Sequence, residues 1–86
     1  MIVTELRLPD LDLPGVPVAA SAWHAAVGDR VVEGDRLIEI AAGDVVVDLS
    51  APATGVLAER CVKIDDSLQV GQTLARIQPE YMRNRR

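Results

Sequence analysis

Short runs of alternating apolar and polar residues fill most of this chain, and turn-forming residues interrupt them every 8 to 12 positions. The segment Ile2 to Leu8 (I-V-T-E-L-R-L) alternates as a half-buried strand does, and Pro9 with Asp10 closes it. Leu11 to Pro17 contains Pro14, Gly15 and Pro17, which block a helix and delay the next strand until about Val18. That second strand carries Trp23. Beyond it the breaks fall at Gly28-Asp29, Gly34-Asp35, Gly43-Asp44, Pro52 to Gly55, Asp65-Asp66 and Gly71. Such spacing predicts an all-β antiparallel sandwich or barrel. The alanine-rich stretch Ala19 to Val27 also suits a helix by propensity, but Gly28 would end it after about two turns, too short to be stable alone.

An internal repeat organises the pattern further. Val27 to Ile40 (VGDRVVEGDRLIEI) lies over Ile64 to Ile77 (IDDSLQVGQTLARI) at an offset of 37 residues. Asp29 matches Asp66, Gly34 matches Gly71 and Leu37 matches Leu74, while Val27/Ile64, Val31/Leu68 and Ile40/Ile77 stay apolar. Half a chain of this length is about four short strands and cannot bury its apolar face unaided. The halves are therefore expected to pack together about a pseudo-twofold axis, with Gly43-Asp44 between them as an exposed hairpin tip.

Composition narrows the picture. With 86 residues the chain makes one domain and buries only about 60–65% of its unfolded surface. There is no Phe, one Trp and one Tyr, so Val, Leu, Ile and Ala must build a thin core with little room for a large cavity. A formal charge of -4 argues against phosphate binding and thus against nucleic acid. No apolar run reaches the roughly 20 residues of a membrane span, and Glu5 and Arg7 make the start unlike a signal peptide. The single Cys61 forms no internal disulfide, in keeping with a reducing compartment. The expectation is a cytoplasmic protein.

Four segments now carry a family resemblance: LPDL at Leu8 to Leu11, SAWHAAVGDRVVEGDRLIEI at Ser21 to Ile40, DLSAPATGVL at Asp48 to Leu57, and VGQTLARI at Val70 to Ile77. In this order and spacing they resemble the lipoyl domain of 2-oxoacid dehydrogenase acyltransferases, with a weaker likeness to biotinyl carriers. The resemblance implies a flattened barrel-sandwich hybrid of two four-stranded antiparallel sheets over residues 1–78, followed by a flexible basic tail over 79–86. It also implies an exposed lysine at the hairpin tip, to which lipoate or biotin is joined by an amide. In this chain the tip run is Ala41-Ala42-Gly43-Asp44-Val45, and Asp44 takes the lysine position, with Gly43 and Val45 flanking it. A carboxylate cannot form that amide, so neither cofactor is expected. Lys63 is the only lysine and precedes a different turn, repeat-related to Ala26; a solvated strand-end residue is the expectation there.

Other chemistry-bearing residues read as structural. His24 and Cys61 are repeat-related, but no second His or Cys joins them, so neither a metal set nor a catalytic dyad is expected. Trp23 is read as packing. Asp29, Glu33, Asp35 and Glu39 lack calcium-loop spacing and are assigned to a solvated acidic edge. In the tail, Arg83, Arg85 and Arg86 are candidate contacts for an acidic partner surface, while Gly43 and Asp44 are candidates for docking the tip on a partner that recognises lipoyl-type tips. Three roles follow from the resemblance: a non-enzymatic interaction or regulatory module that meets a protein partner recognising lipoyl-type domains, a carrier or accessory component of an acyl-transfer or 2-oxoacid dehydrogenase-like system, or a structural piece of a larger assembly. The missing tip lysine favours the first.

Overall fold

The computed structural model describes residues 2–80. Among these residues seven strands follow one another: β1 (Thr4–Arg7), β2 (Val18–Trp23), β3 (Arg30–Val31), β4 (Arg36–Ala42), β5 (Val45–Ser50), β6 (Gly55–Arg60) and β7 (Thr73–Pro79). Ala19 to Trp23 is strand, which removes the helical alternative. All pairings are antiparallel, in one sheet ordered β1-β7-β6-β3 and a second ordered β2-β4-β5.

The second sheet has three strands where four were expected. Its fourth place is held by Ser67, which bridges Ala19 alone. The Leu68 N–H donates to the Val18 carbonyl and the Ala20 N–H to the Asp66 carbonyl, so the backbone is still satisfied there. The repeat explains the brevity, since the matching segment is β3, only two residues long. At the chain's start, Ile2 and Val3 are exposed and unpaired, so β1 is shorter than the alternation of Ile2 to Leu8 implied. At its other end β7 includes Pro79, and Glu80 pairs with Arg30 while its N–H donates to the Thr54 carbonyl. β7 and this ion pair thus include two residues of the segment 79–86. The remaining tail, with Arg83, Arg85 and Arg86, lies outside the described residues.

The repeat is reproduced rung by rung. Val18↔Ala42 and Ala20↔Ile40 in one sheet match Gly55↔Pro79 and Leu57↔Ile77 in the other, and both ladders slip after the same rung, between Ala20/Ala22 and between Leu57/Glu59. Turn chemistry repeats as well. The Asp29 carboxylate accepts from the Ala26 N–H and the Asp66 carboxylate from the Lys63 N–H, each at 2.8 Å. Gly28 and Asp65 occupy matching places with φ of 97° and 75°, so Asp65 holds a left-handed conformation that glycine takes without strain. Two core clusters result. Leu8, Ala20, Ile38, Ile40, Leu68 and Leu74 form most of one, and their counterparts Ala51, Leu57, Ala75, Ile77, Val31 and Leu37 form the other. Trp23 touches both clusters and donates Nε1–H to the Val62 carbonyl at 3.1 Å, which makes it packing, as expected.

The outer face of the larger sheet carries an ion ladder. Arg76 on β7 lies opposite Glu5 on β1 and Glu59 on β6, and it donates to both, at 3.1 and 2.7 Å. Arg7 also donates to Glu5, and this bond followed by that of Arg76 holds the Glu5 carboxyl below the ordinary glutamate range. A carboxylate with a lowered folded-state pKa stabilises the fold above its unfolded value and loses that contribution as pH falls through the folded value. Glu5→Gln is therefore expected to flatten the loss of stability below about pH 4.5, and urea midpoints measured across that range check it. An unchanged acid limb would mean that the ladder does not hold Glu5 in solution.

Candidate functional site

β4 and β5 form a hairpin whose last paired residues are Ala42 and Val45, so Gly43 and Asp44 alone make the turn. Gly43 has φ of 61° and Asp44 stays on the negative side, the φ pattern of a type II′ turn, which favours glycine at its first central position. Register and turn chemistry thus agree, and both fix the Asp44 side chain at the exposed tip. Val45 and Val46 beside it are 50% and 59% exposed.

The tip is braced from one side. A Cβ on Gly43 would sit 3.1 Å from Val16 Cγ1, which places the loop between β1 and β2 directly against the turn. Pro and Gly made this loop legible as irregular, but its contact with the tip had no signal in the sequence. Together with Leu8, Val18, Leu68 and Val70, the loop lines an open cleft of about 370 Å³, with Asp10 and Asp12 in its wall. This end of the molecule therefore carries carboxylates and exposed apolar side chains.

Lys63 is elsewhere. It opens a turn closed by Asp66, beside Val62, whose carbonyl takes the Trp23 indole N–H. Trp23 pairs with Ile38, four rungs along the sheet from the pair Val18↔Ala42 that adjoins the tip. The repeat-related turn is Ala26 to Asp29, so the symmetry that creates one exposed hairpin tip does not supply a second at Lys63.

His24 and Cys61 are kept apart, because repeat-related positions lie on different sheets. The half-buried Cys61 Sγ accepts from Arg76 Nη1 at 3.3 Å. Burial, followed by the Glu59 charge, pushes this thiol up, away from the thiolate a nucleophile requires. On the acidic edge, Gly28-Asp29 and Gly34-Asp35 are the turns that the sequence implied, and Glu39 finds a specific partner. Asp29 and Asp35 each close a turn by accepting a backbone N–H, from Ala26 and Val32 respectively. Glu39 accepts from Ser21 Oγ at 2.7 Å and lies directly opposite Asp48. His24 Nε2 is 3.0 Å from Asp48 Oδ1, and Arg36 reaches the other oxygen at 3.4 Å. The bond to His24, then that to Arg36, lowers the Asp48 pKa. His24, Glu39 and Asp48 each offer one ligand atom, all within 4.8 Å of one another. This grouping was missed in the sequence, although cross-strand pairing about the Gly43-Asp44 turn predicts that residues 39 and 48 face each other.

Comparison with known proteins follows the same lines. The family model described as biotin-requiring enzyme, which covers biotin and lipoyl domains, matches residues 4–77. The dihydrolipoyllysine-residue acetyltransferase component of the pyruvate dehydrogenase complex of Corynebacterium glutamicum is 30% identical over 74 residues, 86% of this chain and 11% of that protein. The dihydrolipoyllysine-residue succinyltransferase component of the 2-oxoglutarate dehydrogenase complex of Bacillus subtilis is 31% identical over 75 residues, 87% of this chain and 18% of the relative. The biotin carboxyl carrier protein of acetyl-CoA carboxylase of Streptococcus pyogenes is 42% identical over 52 residues, 60% of this chain and 31% of the relative. This chain thus spans less than a third of the length of each of these relatives.

Proposed function

The chain belongs to the family of biotin and lipoyl domains, and from that membership we propose that it is a docking module without an acyl arm, offering a lipoyl-type tip to an enzyme component that recognises such tips. One observation supports the reading: Asp44, with its carboxylate, stands in the exposed two-residue turn between β4 and β5, the tip at which the family resemblance expects a lysine. Without that amine the tip binds neither lipoate nor biotin covalently, and the domain acts by shape and charge. The acidic Asp44, flanked by Val45 and Val46, suits a partner surface that is cationic at its centre and apolar at its rim. Such a module regulates by occupying the site that a loaded carrier would take.

Purification from the native host under mild conditions tests this. The expected result is an unmodified intact mass together with a co-purifying enzyme component, whose capture weakens when Asp44 is replaced by Ala. An added lipoyl or biotinyl mass would instead direct attention to Lys63 and restore the carrier reading. Capture that ignores Asp44→Ala would remove the tip from the interface.

A further inference from the structure

The two halves of the fold treat one equivalent position in opposite ways. In the larger sheet it is Arg76, a cation set between the cross-strand carboxylates of Glu5 and Glu59. In the smaller sheet the repeat-related residue is Glu39, and the residue opposite it on β5 is Asp48. Two carboxylates directly opposite on one face repel each other. Where the first sheet supplies a cation from its own chain, the second supplies none at the centre among the described residues. Arg36 reaches only the far oxygen of Asp48, at 3.4 Å, and Glu39 takes its hydrogen bond from the neutral Ser21 hydroxyl. His24, just past the end of β2, completes the group with Nε2 3.0 Å from Asp48.

We propose that His24, Glu39 and Asp48 bind a divalent zinc-class cation, which takes the place that Arg76 fills in the other sheet. One imidazole nitrogen and two carboxylate oxygens form a borderline donor set, suited to Zn²⁺, whereas Ca²⁺ and Mg²⁺ take oxygen-only sets. Zinc holds such atoms at about 2.0–2.2 Å, which brings them within roughly 3.5 Å of one another. The present spread of up to 4.8 Å closes by rotation of side chains on the open sheet face. Three protein ligands leave a fourth tetrahedral position to water. Ser21 orients Glu39 from behind, as supporting hydrogen bonds commonly do for metal-bound carboxylates. Arg36 acts the other way, because its guanidinium beside the other oxygen of Asp48 repels an incoming cation and already offsets part of that carboxylate's charge. Nothing in this site involves the hairpin tip, so it stands whether or not the docking reading does.

Calorimetric titration of the full chain with Zn²⁺ tests the site, with the imidazole resonances of the chain's one histidine followed in parallel by NMR. The expected result is saturable binding of one Zn²⁺ that shifts the His24 resonances and is not reproduced by Mg²⁺. His24→Ala and Asp48→Asn are each expected to weaken binding by about tenfold or more, while Arg36→Ala strengthens it. All three positions are on the surface, and circular dichroism confirms that the variants fold. Absence of saturable binding, binding that leaves the imidazole resonances unmoved, or equal affinity in His24→Ala would each overturn the proposal.

Discussion

Gly55→Ala is expected to destabilise the domain by on the order of 4 kcal/mol, enough to leave it partly unfolded at ordinary temperature. A Cβ at this position would lie 2.0 Å from the Gln78 carbonyl oxygen and within 2.9 Å of two further backbone atoms of β7. Backbone cannot swing aside as a side chain tip does. Relief would require β6 and β7 to separate at the rung Gly55↔Pro79, two rungs from the fully buried pair Leu57↔Ile77. Gly55 also pairs with Val31 of β3 on its other side, so the strand has nowhere to retreat. The requirement is for close approach and not for an unusual φ, since Gly55 is absent from the positive-φ glycines. The repeat supplies an internal control. Val18 occupies the equivalent place opposite Ala42, where a branched side chain is present, so Val18→Ala is expected to cost only about 1 kcal/mol. Urea unfolding of both variants measures the contrast. Comparable midpoints for Gly55→Ala and the unchanged protein would mean that the β6–β7 contact is looser than described. For a domain whose whole stability is of the order of 5–15 kcal/mol, the expected difference is large.

That asymmetry between Gly55 and Val18 marks how far the sequence could be read. The 37-residue offset foretold which strands correspond, and β2 with β6 and β4 with β7 do so down to a shared slip in register. This was legible because apolar residues at matched spacing must be buried together, and because the turn residues Asp29 and Asp66 do the same backbone work. The two-residue tip was legible for the same reason, Gly43 being the residue that a type II′ turn requires. Whether a short matched segment forms a strand was not, since β3 and Ser67 differ by only a rung and the outcome rests on local geometry. The brace of Val16 against Gly43 also escaped notice, because loop packing leaves no periodic trace. The role of Asp48 was hidden differently. It is visible only after the hairpin register is drawn, when position 48 falls opposite 39 and within reach of His24. Side-chain chemistry in a sheet is written across strands, so a reading along the chain scatters it.

The same register governs the second large effect expected, a gain of lipoylation in Asp44→Lys. The wild-type tip holds a carboxylate, and offered to a lipoate ligase with ATP and lipoate it is expected to stay unmodified. With lysine at position 44 the amine stands at the end of a tight two-residue turn, exposed on the protruding hairpin and free of bonds to neighbouring strands. Acylation of that amine forms the amide that the carboxylate cannot. Residue 44 does not need a positive φ, so lysine fits the existing backbone. Restoring Asp at position 43 as well is a different matter. Gly43 has φ of 61°, and a Cβ there meets Val16 Cγ1 at 3.1 Å, so Gly43→Asp is expected to cost about 1–2 kcal/mol through backbone strain and crowding. The single and double variants therefore separate two requirements, an amine at the tip and a familiar neighbour beside it. Intact mass after reaction reads the gain, and thermal unfolding reads the penalty. Lipoylation of Asp44→Lys alone would show that the hairpin is still presented as a carrier's is, with only one side chain withholding the cofactor. If the folded single variant stays unmodified while the double variant is acylated, the ligase reads the residue at 43 as well as the lysine. Should both folded variants remain unmodified, the surface around the tip has itself departed from what the ligase reads, and a partner selected by likeness to a carrier tip would lose its main support.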